Sequence, residues 1–243
     1  MELSPPLLIL QTGDAPADVS EVHGNYDRLF LAAAGLRPEQ AVVVHLPSGQ
    51  RPAAADTYGG VLITGSSAMV TDRLPWSEFA AGWLRQAMAD QVPIFGVCYG
   101  HQLLAYALGG VVDYHPDGME LGTHDIELLA AAVQDPLLTP LPRRFPVNLI
   151  HSQTVLTPPP GAVVLARSQG DPHQILRYGE NAITVQFHPE FTAGVMQGFL
   201  RSMTAEQPDR KQELARVGRE ISDTPDSRAL MARFVRQTLA VRR

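Results

Sequence analysis

Cysteine is nearly absent from this chain of 243 residues, and an internal disulfide is excluded because Cys98 stands alone. The eight histidines show no His-x-x-x-His spacing and a Cys-x-x-Cys pair is impossible, so a metal site has no support. A basic excess is also missing, since 19 lysines and arginines face 25 acidic residues for a net charge of −6. This balance argues against a general nucleic-acid-binding surface.

Long apolar runs are lacking as well. The apolar stretch at residues 7–10 is far too short for a signal-peptide core or a membrane span, and the first six residues carry no basic side chain. We therefore expect a cytoplasmic protein that has no membrane partner.

Apolar strand-like runs alternate with helical patterns along the chain, which is 45% hydrophobic and long enough to bury a substantial core. This alternation predicts an α/β fold with a mostly parallel central sheet, helices on both faces and a small antiparallel layer. Strands are predicted at residues 7–11, 41–45, 60–64, 92–97, 111–114, 123–129, 147–151, 163–168, 175–178 and 183–187. Helices are predicted near residues 26–34, 76–89, from 99, at 193–203, and from Pro225 through Val241 with Thr224 as N-cap.

The spacing Gly96-x-Cys98-x-Gly100 places the cysteine at a sharp turn between a strand and a helix. Glycines on either side let the backbone crowd around a strained residue, as in a nucleophile elbow. The positive end of the following helix favours a thiolate, which is the form that attacks carbonyl carbon. The pattern predicts that Cys98 is a nucleophile, although a lone cysteine is more often a small core residue.

A base and its orienting carboxylate stand together in His188-Pro189-Glu190. Side chains two residues apart on an extended segment point to the same side, and Pro189 favours an extended conformation for His188. We therefore predict that His188 takes the thiol proton of Cys98 while Glu190 orients the imidazole.

With these residues the chain resembles the class I (triad) glutamine amidotransferases, most closely the amidotransferase domain of GMP synthases and its stand-alone relatives. The resemblance runs over about residues 5–205 and rests on Val61–Ser67, Gly96–Gln102, Glu120–Gly122, His151–Val155 and Val185–Phe191. It implies a flavodoxin-like amidotransferase domain over residues 1–205, with residues 206–243 as a helical extension packed on the same domain.

The resemblance also implies an oxyanion hole of backbone N–H groups, which maps onto Gly65, Ser66 and Tyr99. The chain departs from the family by carrying Ser66 and Ser67 where Gly-Pro is common. Substrate contacts map onto Gln102 and onto the loop His151, Ser152 and Gln153. GMP synthases have Asp at the position of Gln153, and this exchange removes a possible counter-charge for the α-ammonium group of glutamine.

By the same resemblance, we expect hydrolysis of the γ-carboxamide of glutamine through a γ-glutamyl thioester on Cys98, without metal or organic cofactor. No Gly-rich ATP-binding loop follows Glu190, so any synthetase that uses the ammonia is expected on a separate chain. Subunits of this family are commonly poorly active until their synthetase docks. Two alternatives stay open: a stand-alone γ-glutamyl peptide or amide hydrolase, and a non-catalytic regulatory or binding module.

Overall fold

A computed structural model describes residues 5–240 of the chain. Its strands are β1 (Leu7–Gln11), β2 (Ala41–His45), β3 (Gly60–Ile63), β4 (Ile94–Val97), β5 (Val111–Tyr114), β6 (Glu120–Leu128), β7 (Arg144–His151), β8 (Gln153–Thr157), β9 (Ala162–Arg167), β10 (Ile175–Tyr178) and β11 (Ala182–Val185). Its α-helices are α1 (Ala17–His23), α2 (Tyr26–Ala34), α3 (Pro75–Ala89), α4 (Tyr99–Ala107), α5 (Ala193–Glu206), α6 (Lys211–Glu220) and α7 (Pro225–Ala240).

Within residues 5–240, nine strands form one central sheet in the order β2-β1-β3-β4-β11-β10-β9-β6-β7. The pairs from β2 to β11 are parallel, and the pairs from β11 to β7 are antiparallel. Strands β5 and β8 form a separate antiparallel pair. The predicted α/β class with its antiparallel addition is thereby confirmed.

Side chains of β1 alternate between the two faces of the sheet, as the period of a strand requires. Leu7 and Ile9 join the core under α2 and α7, whereas Leu8 and Leu10 join the core under α3 and α4. Because both faces are covered, the parallel strands read as continuous apolar runs. The carboxyl ends of β3, β4 and β11 therefore meet at one edge of a buried sheet.

The segment after α5 is less simple than its composition indicated. Sequence reasoning treated it as a polar tail followed by one helix, but α6 also forms there, and its apolar residue Leu214 packs against Leu200 and Met203 of α5. The last helix begins at Pro225 as predicted. Its predicted end at Val241 lies outside the described residues. Phe234 of α7 packs on Phe95 of β4 with ring centroids 5.3 Å apart. A domain division at residue 205 stays a prediction.

No helix among residues 5–240 is long and apolar enough to cross a membrane.

Candidate active site

Cys98 lies between the end of β4 and the first residue of α4, with φ of +50° and ψ of −100°. Left-handed φ values are uncommon outside glycine and mark a backbone that its surroundings hold under strain. The Cys98 N–H donates to the carbonyl of Val185 in β11, and its carbonyl accepts from the N–H of Gln102. The side chain is 5% exposed, and its Sγ lies 3.8 Å from the carbonyl oxygen of Ile150.

The two glycines flanking Cys98 are required by close packing. A Cβ on Gly96 would lie 2.8 Å from the Gly100 carbonyl oxygen, and one on Gly100 would lie 2.7 Å from Cβ of Ile63. The predicted sharp turn between strand and helix is therefore confirmed. Its tightness comes from the contact between β4, α4 and the neighbouring strand β3.

His188 and Glu190 follow β11 on the same edge of the sheet. Their side chains are buried, and Nδ1 of His188 donates to Oε1 of Glu190 over 2.7 Å. The backbone N–H of His188 donates to the carbonyl of Asn148 in β7, which fixes the segment across the sheet. Within the described part of the chain, Nε2 of His188 has no hydrogen-bond partner, so this atom is free to exchange a proton.

The charge state of His188 is set by opposing effects. Burial disfavours the imidazolium, but the Glu190 carboxylate and the Cys98 sulfur outweigh it and raise the pKa of His188 to about 10. The protonated form of His188 is therefore favoured in this pocket.

The loop after β3 lies against this pair. A Cβ on Gly65 would be 2.8 Å from Cε1 of His188, so only glycine fits beside the imidazole. Ser66 does not adopt a positive φ, which means that the serine is accommodated without left-handed strain. Among residues 5–240, the backbone N–H groups of Ser66 and Tyr99 donate to no protein acceptor.

The residues predicted to bind substrate have different surroundings. Gln102 donates through Nε2 to the carbonyl of Gln153 (2.6 Å) and to Oε1 of Gln186 (3.1 Å). Gln153 is 1% exposed; its amide oxygen accepts from the backbone N–H groups of Val70 and Thr71, and its amide nitrogen donates to the Thr71 hydroxyl. The polar atoms of its side chain are therefore occupied by hydrogen bonds within the protein. The comparison with Asp in GMP synthases, which considered a contact to substrate, did not anticipate these bonds.

His151 is similarly engaged. Its Nδ1 lies 2.9 Å from the Gln153 carbonyl and its Nε2 lies 2.9 Å from Oε2 of Glu120. Both ring nitrogens are therefore engaged inside the protein. Burial opposes ionisation of Glu120, but hydrogen bonds from His151 and Ser168 lower its pKa. Ser152 is partly buried between these residues.

Ligand atoms of Glu120, His151 and Asp171 come within 4.8 Å of one another, a grouping that the spacing of the histidines did not indicate. These ligand atoms already take part in hydrogen bonds within the protein. Asp171 accepts from the Thr154 hydroxyl and from the His173 N–H, and Glu120 is hydrogen-bonded to His151. The arrangement is that of a buried hydrogen-bond network.

A cavity of about 440 Å³ joins the candidate catalytic and substrate residues. Cys98, His188, Gln102 and residues 151–153 contribute to its lining. Sequence reasoning missed the rest of the wall, which includes Asp14, Tyr26, Met69, Met119, Phe199, Met203 and Glu206. These residues come from five separate parts of the chain and carry no shared spacing by which a motif would reveal them.

The family model for class I glutamine amidotransferases matches residues 31–204. The chain belongs to this family. Among similar proteins, the GMP synthase of Aeropyrum pernix is 44% identical over 98 residues, which span 40% of this chain but only 18% of the relative. The γ-glutamyl-L-1-hydroxyisopropylamide hydrolase of a Pseudomonas species is 32% identical over 183 residues, 73% of this chain and 60% of the relative.

The crystal structure of a glutamine amidotransferase from Thermotoga maritima has the same fold. It superposes with a TM-score of 0.77 at 18% identity and covers 96% of this chain and 99% of its own. In this fold, Cys98 and the segment after β11 lie at one edge of the sheet.

Proposed function

We propose that the chain hydrolyses the γ-carboxamide of glutamine and releases ammonia and glutamate. The observation that carries the proposal is that a strained Cys98 shares one cavity with His188. Glu190 holds Nδ1 of this histidine, and among the described residues Nε2 has no hydrogen-bond partner. This constellation matches the logic of a nucleophile, a base and an orienting group.

The reaction is an acyl transfer to water. The raised pKa of His188 favours transfer of the thiol proton to the imidazole before the attack, so Sγ of Cys98 attacks the γ-carbonyl carbon as a thiolate. The imidazolium then protonates the departing nitrogen so that ammonia leaves. A γ-glutamyl thioester remains. His188, again neutral, removes a proton from water as its oxygen attacks the thioester; glutamate is released and the thiol is regenerated.

The oxyanion formed in each attack needs donors already aimed at it. The backbone N–H groups of Ser66 and Tyr99 are assigned this role, with Gly65 keeping the loop against His188. Each such donor is typically worth about 3 kcal/mol of barrier.

Recognition of the α-carbon end of glutamine is assigned to Gln102 and to the backbone of His151, Ser152 and Gln153, all of which line the cavity. Gln102 uses its amide nitrogen within the protein, which leaves its oxygen to accept from the α-ammonium group. No cofactor is required by the mechanism.

In this proposal, a synthetase on a separate chain transfers the released ammonia to its acceptor. Similarity to GMP synthases supports a separate synthetase partner, although the match spans a small part of those relatives.

A second candidate is hydrolysis of a larger γ-glutamyl amide or peptide. The cavity supports it, because Met69, Met119 and Met203 offer apolar surface that ammonia does not need. The Pseudomonas relative, whose name gives a γ-glutamyl amide as substrate, is similar over most of this chain.

The test measures ammonia or amine together with glutamate from glutamine, γ-glutamyl alkylamides and γ-glutamyl peptides, with and without an added synthetase. Cys98→Ala and His188→Ala serve as controls. Turnover of glutamine supports the first candidate and preference for a larger amide supports the second. Absence of turnover on every substrate, with or without a synthetase, rejects both and leaves the non-catalytic module.

A further inference from the structure

We propose that Gln153 is a positioning residue that fixes the loop after β3 for hydrolysis, so that the chain is active without a partner. The inference rests on the proposed function and goes beyond it, because it assigns Gln153 to the loop and not to the substrate.

The side chain of Gln153 reaches across the cavity wall to the far end of this loop. Its Oε1 accepts from the backbone N–H groups of Val70 (3.1 Å) and Thr71 (3.5 Å), and its Nε2 donates to the Thr71 hydroxyl. Val70 and Gln153 are both buried, so water does not readily replace these bonds. One amide thereby satisfies the first backbone donors of the short helical turn at residues 70–72.

The near end of the loop is held independently. The Thr12 hydroxyl, at the end of β1, is within 3.0 Å of the carbonyl oxygens of both Thr64 and Gly65. Between the two ties, Oγ of Ser66 accepts from the N–H of Ala68. The segment that carries the Ser66 N–H is therefore fastened on both sides.

The backbone of Gln153 is tied to the second proposed donor. Its carbonyl accepts from Nε2 of Gln102, which lies in the first turn of α4, as does Tyr99. Gln153 thus connects the loop that bears Ser66 to the helix that bears Tyr99. A residue that fixes two donors relative to each other acts on the transition state, because misplacement of a reacting group by about 1 Å can cost about 100-fold in rate.

The resemblance to amidotransferase subunits leads one to expect low activity before a synthetase docks. Here the described residues already arrange the loop after β3 through Thr12, Ser66 and Gln153, so the isolated chain is expected to reach the same turnover number with or without a synthetase.

The test compares Gln153→Met, which keeps the length of the side chain but removes both polar atoms, with Thr71→Val, which removes only the partner hydroxyl. Gln86→Met is the matched control, because Gln86 is exposed on α3 and its side-chain amide donates to Asp90, far from the candidate site. We expect Gln153→Met to lower kcat about tenfold or more with little change in KM, and Thr71→Val to lower it less. The double variant should resemble Gln153→Met alone, because the two changes remove a shared interaction.

A readout independent of turnover is amide hydrogen exchange. Exchange in residues 66–72 should speed up in Gln153→Met and stay unchanged in Gln86→Met. Thr71 is exposed, so Thr71→Val keeps the test informative if Gln153→Met fails to fold.

A raised KM at constant kcat would make Gln153 a substrate contact and overturn the proposal, as would unchanged exchange in the loop. A large gain in turnover on adding a synthetase would overturn partner independence. A wild-type protein that is inactive both alone and with a synthetase would reject the proposed function, and the exchange data would still decide whether Gln153 holds the loop.

Discussion

The imidazole of His188 lies flat against the ring of Phe191, with centroids 4.1 Å apart and planes inclined by 7°. Phe191 packs in turn on Phe199, at 4.8 Å, and these rings belong to an apolar cluster formed by α1, α2 and α5. Glu190 fixes His188 through one nitrogen, and Phe191 fixes the plane of the ring. The direction of the free Nε2 is therefore set by a hydrogen bond and a stack together.

Replacing Phe191 by Leu should lower kcat more than it raises KM, because the imidazole gains freedom to rotate about its bond to Glu190. Steady-state kinetics measure the effect, and the thermal midpoint reports the loss of packing. Phe30→Leu is the control, since Phe30 is equally buried but packs in the core shared with α7. Equal activity losses in the two variants would mean that Phe191 acts through general stability.

Gly65→Ala tests the contact between the loop and the base. The added methyl group would lie 2.8 Å from Cε1 of His188, so the loop or the imidazole must move and activity should fall about tenfold or more. Gly82→Ala is the matched control, because Gly82 lies in α3 with its nearest atom at 3.7 Å. There a helical alanine should keep activity and add up to about 1 kcal/mol of stability. Full activity in Gly65→Ala would contradict the placement of the loop.

The pH dependence of stability follows from the raised pKa of His188. The unfolded value is 6.5 and the folded value is about 10, so His188 contributes its full stabilisation below pH 6.5 and loses it as the pH rises towards 10. The difference in unfolding free energy between wild type and His188→Gln should therefore shrink over this interval. Denaturant titrations at several pH values measure it.

Glu190→Gln is the companion variant. Without the carboxylate, burial should dominate and the pKa of His188 should fall, which an NMR titration of the ring can follow. A pKa of His188 that is unaffected in Glu190→Gln would show that the carboxylate does not set its charge state.

Much of the fold could be predicted because its signals are local. The apolar runs of β1, β3 and β4 and the Pro225 start of α7 each reflect a period or a cap within a few residues. Helix α6 was missed because half of its ten residues are charged, and its stability comes from burying Leu214 on α5.

The candidate site divides in the same way. Cys98 with its glycines and the pair His188 and Glu190 are encoded within short strings. The bonds from Gln153 to Val70 and Thr71 join residues far apart in sequence, so no local pattern contains them. The hydrogen bond between His151 and Glu120 likewise depends on the register between β6 and β7.

Covalent labelling of Cys98 is the most direct test of the account. A diazo-ketone analogue of glutamine should modify the wild-type chain once, at Cys98, and abolish hydrolysis in proportion to labelling, while Cys98→Ala should neither be labelled nor turn over substrate. Peptide mass spectrometry locates the adduct. Label at another residue, or full hydrolase activity in Cys98→Ala, would contradict the assignment of Cys98 as the nucleophile.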